Sequence, residues 1–176
     1  MDRIELIKPT KEYEGQVMAY KAEMHGNNDS FDGCAGLEEV EGYDEWLNFE
    51  TRLSKKYGEG YVPSEVYLAV RQCDNKLVGI MDYRHPLSPF LLHHGGNIGY
   101  SVRPSERRRG YAGEMLKLMK GICREFNEER ILLTCDKENT ASSKVIKANG
   151  GVLENEVRDT AGLSKSGIFQ RYWITL

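Results

Sequence analysis

Positive charge is not in excess in this sequence. Lys and Arg number 24 against 27 Asp and Glu, for a net charge of -3 and a pI near 5.9. No basic stripe with interleaved aromatics runs through it, which argues against a nucleic-acid-binding face. No apolar run reaches the roughly 20 residues that a membrane-spanning helix needs. The first residues, Met1-Asp2-Arg3-Ile4-Glu5-Leu6, contain no apolar signal core and read as a strand, which favours the cytoplasm. The four cysteines, Cys34, Cys73, Cys123 and Cys135, include no CxxC pair, and no histidine lies near enough to suggest a zinc site. They read as thiols in a reducing compartment. Neither GxGxxG after a strand nor GxxxxGK[ST] occurs, so dinucleotide-binding and P-loop readings are poor. Internal repeats and low-complexity segments are absent as well.

What the sequence does contain is one cationic, glycine-bearing turn, Arg107-Arg108-Arg109-Gly110-Tyr111-Ala112. A β-like run, 97–102, precedes it. A strongly periodic helix, 111–126, follows, with Ala112, Met115, Leu116, Met119, Ile122, Cys123 and Phe126 at three-and-four spacing. Strand, turn and helix start in that order build an anion site. The first turn of a helix carries N–H groups with no intrahelical partner, and the helix dipole adds positive potential. Gly110 lets the backbone approach a ligand closely. A phosphate or pyrophosphate is the natural guest.

The length suits one domain, 1–176. Alternation predicts a first strand over 3–8, ended by Pro9. A helix is expected over 11–24, with Tyr13, Val17, Tyr20 and Met24 on one face. Residues 25–42 read as a long loop. A second helix is expected over 43–56, anchored by Trp46, Leu47 and Leu53 and closed by Gly58 and Gly60. Residues 65–72 and 77–83 read as a hairpin around Asp74-Asn75-Lys76. Residues 86–96 read as a loop holding two prolines and His93-His94. A short strand over 131–135, a helix over 139–149 with Ala141, Val145 and Ala148 inward, and strands over 152–157 and 168–174 complete the chain. The order β α α β β β α β α β β predicts an α/β protein with a mixed sheet of about seven strands and helices on both faces.

These residues resemble a family. Arg107 to Ala112 fits the [Q/R]-x-x-G-x-[G/A] signature of the GNAT superfamily of N-acetyltransferases, and the element order is similar across nearly the whole chain. Val102 stands five positions before Arg107, Asn139 opens the later helix, and Asn149-Gly150-Gly151 resembles the exit that follows it. The resemblance implies a GNAT-like acyl-CoA N-acyltransferase fold, with acetyl-CoA in a cleft between strands 97–102 and 131–135. It places the pyrophosphate on N–H groups from Arg108 to Ala112, and the pantetheine along Tyr100, Ser101 and Val102 like an added strand. Arg107, Arg108, Arg109, Gly110, Tyr111 and Ala112 hold the cofactor in this reading, with Asn139, Ser142 and Ser143 opposite. Asn139 also satisfies a plain helix N-cap.

The implied reaction is acetyl transfer to a primary amine of a small molecule or peptide, by direct attack in a ternary complex. An ammonium titrates near ~10 and a thiol near ~8.5, so the reaction needs a way to free the amine and to accommodate the thiolate. The Tyr100 backbone N–H is the candidate oxyanion donor. Ile146 stands where many relatives carry the tyrosine that protonates the leaving thiolate, so Tyr172 and Tyr100 are the substitute candidates. His93 and His94 are candidate bases, set against the alternative of ordinary loop histidines. The segment 29–50 carries eight Asp and Glu and no Lys, Arg or His, which suits a cationic acceptor or simply a solvated acidic loop. The competing reading is a non-catalytic CoA-binding module that senses or assembles. No metal is expected, and a homodimer is an open expectation because dimers are common among relatives.

Overall fold

Two periods organise the fold. Strands of the first half repeat every two residues and are apolar on both sides, because each side receives its own helical layer. The computed structural model describes residues 3–55 and 62–176. Its elements are β1 (Ile4–Ile7), α1 (Glu14–Gly26), α2 (Tyr43–Leu53), β2 (Ser64–Arg71), β3 (Lys76–Arg84), β4 (Ile98–Val102), α3 (Tyr111–Glu125), β5 (Arg130–Asp136), α4 (Thr140–Ala148), β6 (Val152–Arg158) and β7 (Ile168–Thr175). The order matches the sequence expectation. The expected second helix stops at Leu53, and Lys56, Gly58 and Gly60 lie outside the described residues.

The seven strands do not form one continuous sheet. Strands β1-β2-β3-β4 make one antiparallel sheet and β5-β7-β6 another. Val66, Leu68 and Val70 of β2 point to one face, where Val17, Tyr20 and Met24 of α1 and Tyr43 and Trp46 of α2 close the core. Tyr67 and Ala69 point to the other, where Tyr111, Met115, Leu116 and Met119 of α3 and Ile146 of α4 pack. Each of these large apolar side chains contributes about 1.5–3 kcal/mol by leaving water.

Two local readings are corrected. The loop 86–96 contains a short π-type turn over Leu91–Gly95, which buries Leu91 and His94. In α4 the buried positions are Ser143 and Ile146, Val145 packs against the core as expected, and Ala141 and Ala148 are exposed. The two alanines are too small to orient the helix, so apolarity alone marked the wrong side at those two positions.

Asn97 joins the two sheets. Its N–H donates to the Leu132 carbonyl (2.7 Å) and its carbonyl accepts from Arg84 N–H (2.7 Å). Its side chain repeats this in reverse: Oδ1 accepts from Leu132 N–H (2.8 Å) and Nδ2 donates to the Arg84 carbonyl (3.0 Å). One residue thereby pairs with β3 and with β5. Beyond it, β4 and β5 separate.

Candidate active site

The separation of β4 and β5 leaves a notch. Ladder bonds from Arg84 N–H to the Asn97 carbonyl and from Arg103 N–H to the Val78 carbonyl flank β4. The register pairs Asp82 with Gly99 and Ile80 with Ser101. Antiparallel pairing alternates, so Gly99 and Ser101 turn their backbone groups to β3. Ile98, Tyr100 and Val102 turn theirs into the notch. The Val102 carbonyl is taken by Arg107 Nε at 3.1 Å. The Tyr100 N–H and C=O are left as one hydrogen-bonding edge, suited to an extended ligand.

The notch leads to the cationic turn. Arg108 (φ 61°) and Gly110 (φ 85°) are both left-handed, and Gly110 is the residue that precedes α3. The turn thereby points successive amides the same way. The first ladder bond of α3 runs from Glu114 N–H to the Gly110 carbonyl. No acceptor among the described residues takes the N–H groups of Arg108 through Gly113. Six N–H groups without an acceptor at a helix start suit a phosphate group.

The arginines have separate roles. Arg107 is held by Asp29 through Nη1 (3.0 Å) and Nη2 (2.9 Å), which ties the turn to the loop after α1. Arg108 is exposed, and Arg109 reaches only Glu106, at 3.3 Å. These two are available to a phosphate. Tyr111 is buried and receives Arg71 Nη1 at 3.1 Å, so it offers a ligand only its backbone. Ala112 likewise offers its first-turn N–H.

Glu106 anchors the turn from below. Its side chain is 3% exposed, with Arg71 at 2.8 Å, Lys76 at 2.5 Å and Arg109 beyond. Burial pushes its carboxyl up, but bonds from Lys76 and Arg71 outweigh that and hold it below the ordinary range. A carboxylate depressed on folding adds stability above its unfolded pKa of about 4.3, and that stability is lost as pH falls through the folded value. Glu106→Gln should therefore flatten the acid side of the stability curve. Melting temperatures of both proteins between pH 6 and pH 3 check this: equal slopes would refute it.

Across the notch, the Tyr100 hydroxyl meets Ser142 Oγ of α4 at 2.9 Å. Burial pushes the Tyr100 phenol up to about 12 and the Cys135 thiol up to about 11. Tyr100 therefore keeps its proton and has one to donate, and Cys135 is a neutral thiol rather than a nucleophile. Asn139 Oδ1 accepts from Ser142 N–H at 3.0 Å, a plain N-cap. Ser143 is buried and returns its hydroxyl to the Thr140 carbonyl.

Other sequence candidates lie elsewhere. Ser101 turns its side chain away from the notch: Oγ receives Tyr20 Oη at 2.8 Å and donates to the Asp32 carbonyl at 2.8 Å. A strand alternates faces, so Ser101 cannot share the notch with Tyr100 and Val102. Tyr172 is fully buried and donates to Gln170 Oε1 at 2.7 Å, so its proton is committed. His93 is exposed. His94 is 7% exposed, with Nδ1 3.7 Å from Asp159 and Nε2 3.3 Å from Thr160 Oγ1, in the β6–β7 connection. Neither ring contacts Tyr100 or Ser142 among the described residues. The acidic segment is partly spent internally, Asp29 on Arg107 and Asp44 on Lys11. Asp32, Glu38, Glu39 and Glu41 form no ion pair among the described residues. Asp82, Gly33 and Asn97 were not singled out from sequence. Apart from the Asp82–Arg84 pair their partners are distant along the chain, and no local pattern marks them.

Among the described residues no cluster of His, Cys, Asp and Glu could hold a metal ion, and no helix is long and apolar enough to cross a membrane. Residues 63–152, just over half of the chain, match the family described as the Acetyltransferase (GNAT) domain. No curated protein matches the sequence. Among solved structures, RimJ of Mycobacterium smegmatis in complex with a CoA disulfide is similar at TM-score 0.74 and 17% identity, over 98% of this chain and 81% of that one. RimL, a ribosomal L7/L12 alpha-N-protein acetyltransferase in complex with coenzyme A, is similar at 0.71 and 19%, over 98% and 94%. A ribosomal-protein-S5-alanine acetyltransferase from Vibrio fischeri is similar at 0.70 and 17%, over 98% and 91%. At such identities the likeness is one of fold.

Proposed function

The chain belongs to the GNAT acetyltransferase family, and we propose that it transfers the acetyl group of acetyl-CoA to a primary amine, with a peptide amino group as the favoured acceptor. The observation that carries this reading is the row of N–H groups at Arg108–Gly113, which have no acceptor among the described residues, at the end of the strand whose Tyr100 leaves its backbone edge open. One end suits a pyrophosphate and the other a pantetheine and its thioester. The names of RimL and the Vibrio fischeri protein, which act on ribosomal-protein amino groups, support a peptide acceptor. The acids Asp32, Glu38, Glu39 and Glu41, which form no ion pair among the described residues, favour a cationic one.

The chemistry is direct aminolysis. The amine lone pair attacks the thioester carbon, the carbon–sulfur bond breaks, and the proton lost by the nitrogen passes through solvent to the departing thiolate, giving an amide and a free thiol. The Tyr100 N–H receives the developing oxyanion, an interaction worth roughly 3 kcal/mol when well placed. The Tyr100 hydroxyl, partnered with Ser142, steadies the departing thiolate by a hydrogen bond. Cys135, with its thiol raised to about 11, gives no ground for an acyl-enzyme.

Thiol release from acetyl-CoA tests the reading. The panel should include peptides with free amino termini, the same peptides with blocked termini, polyamines and aminoglycosides. The expected result is release that requires a free amine and is greatest with a free-terminus peptide. Tight CoA binding with no release from any amine would instead support a non-catalytic CoA-binding module.

A further inference from the structure

The reading above makes one peptide bond decisive, the one between Gly99 and Tyr100, because it carries the oxyanion-donating N–H. Gly99 contributes its C=O to this peptide and its N–H to the preceding one, and both are held from the face opposite the cofactor notch. Asp82 of β3 points to that face, with its Oδ1 accepting from Gly99 N–H at 3.0 Å and from Arg84 Nη2 at 3.0 Å. Its Oδ2 receives Ser64 Oγ at 3.4 Å. Arg84 in turn reaches the Gly95 carbonyl at 3.5 Å, just before β4. The side chain of Asp82 is 10% exposed and that of Arg84 20%.

Asp82 holds the preceding peptide, and the loop after α1 presses on the Gly99–Tyr100 peptide itself. Gly33 (φ 81°) has its α-carbon so close that an added Cβ would strike the Gly99 carbonyl and stand 2.7 Å from the Tyr100 nitrogen. The loop is fastened there by Ser101, whose hydroxyl joins the Asp32 carbonyl, Tyr20 and Cys34. No close packing of this kind is needed to hold β4 in its sheet, which the ladder to β3 already does.

We infer that Asp82 and Gly33 are positioning residues for acetyl transfer: together they fix the Gly99–Tyr100 peptide so that the Tyr100 N–H meets the thioester oxygen. The inference rests on the acetyltransferase reading. A donor of this kind acts by being preorganised, and displacement by about 1 Å costs on the order of 100-fold in rate.

The test compares Asp82→Ala, Asp82→Asn and Gly33→Ala with the parent chain. Three quantities are read: kcat, the Kd of acetyl-CoA, and the infrared band of its carbonyl (carbon-13 labelled) in the bound state. The parent should lower the carbonyl frequency relative to free acetyl-CoA, as a hydrogen-bonded thioester does. Asp82→Ala and Gly33→Ala should lose about 10–100-fold in kcat, return the band toward its free position, and keep the Kd within about two-fold. Asp82→Asn, which retains an oxygen for Gly99 N–H, should recover part of both. Gly33→Ala leaves the Asp82–Arg84 ion pair intact, so it decides the matter if Asp82→Ala fails to fold. Unchanged kcat and band position in folded variants would overturn the inference while leaving the acetyltransferase reading intact. A parent complex with no carbonyl shift would remove the oxyanion assignment itself.

Discussion

Replacing Gly110 by glutamate should weaken coenzyme A binding by at least about 100-fold while leaving the fold in place. Three effects act in the same direction. Gly110 sits at φ 85° and ψ 0°, where an L side chain costs about 1–2 kcal/mol. A side chain at this point also removes the close backbone approach that a glycine allows a ligand. Its carboxylate also competes with the pyrophosphate for the same N–H groups and repels it. With a factor of ten for every 1.4 kcal/mol, about 3 kcal/mol in total suffices for the expected loss. Gly110 is exposed and precedes α3 rather than packing inside it, so the melting temperature should fall by no more than about 2–8 °C, the equivalent of that strain in a chain of this size. Calorimetric titration with coenzyme A measures the effect, and Gly110→Ala separates backbone strain from charge, with a loss nearer ten-fold. Undiminished binding by Gly110→Glu would mean that the diphosphate does not lie on this turn, and the acetyltransferase reading would lose its main support.

The turn was legible in the sequence because everything that builds it is local. A strand ends, glycine reverses the chain, and a helix with a clean three-and-four period begins at Tyr111. The helix is found at Tyr111–Glu125, against an expected 111–126. The hairpin of β2 and β3 was legible for the same reason, with turn chemistry at Asp74-Asn75 between two apolar runs. Arg107 shows where locality ends. Sequence groups it with Arg108 and Arg109, yet its guanidinium is held by Asp29, 78 residues away. Ser101 shows a second limit. Its neighbours Tyr100 and Val102 face the notch, and strand alternation alone sends it to the opposite side, a consequence that depends on knowing which face is which. In α4, Ala141 and Ala148 looked inward because they are apolar, whereas the helix is oriented by Ile146 and by the Tyr100–Ser142 bond.

The second large effect concerns Asn97, which no local pattern marks. Asn97→Ala removes the acceptor of Leu132 N–H and the donor to the Arg84 carbonyl, and both groups are left where the sheets meet. Asn97 is 3% exposed, so water does not readily replace the lost bonds. Each orphaned group costs about 1–3 kcal/mol, which gives roughly 3–4 kcal/mol for the pair. In a chain of this size that is a fall of about 10 °C in melting temperature. A surface asparagine would lose far less, so thermal unfolding followed by circular dichroism distinguishes the two. Asn97→Asp refines the test. Its carboxylate can still accept from Leu132 N–H, but its second oxygen then faces the Arg84 carbonyl, a repulsion relieved only when a proton sits between them. The folded-state pKa of that aspartate is therefore raised above its unfolded value of about 3.9. Stability present in acid is lost as pH rises through the raised value. The deficit of Asn97→Asp relative to the parent should be small near pH 4 and large near pH 7, whereas the deficit of Asn97→Ala should stay constant. A deficit for Asn97→Asp that did not grow with pH would mean that the side chain does not bridge β3 and β5, and that the notch is opened by something other than this residue.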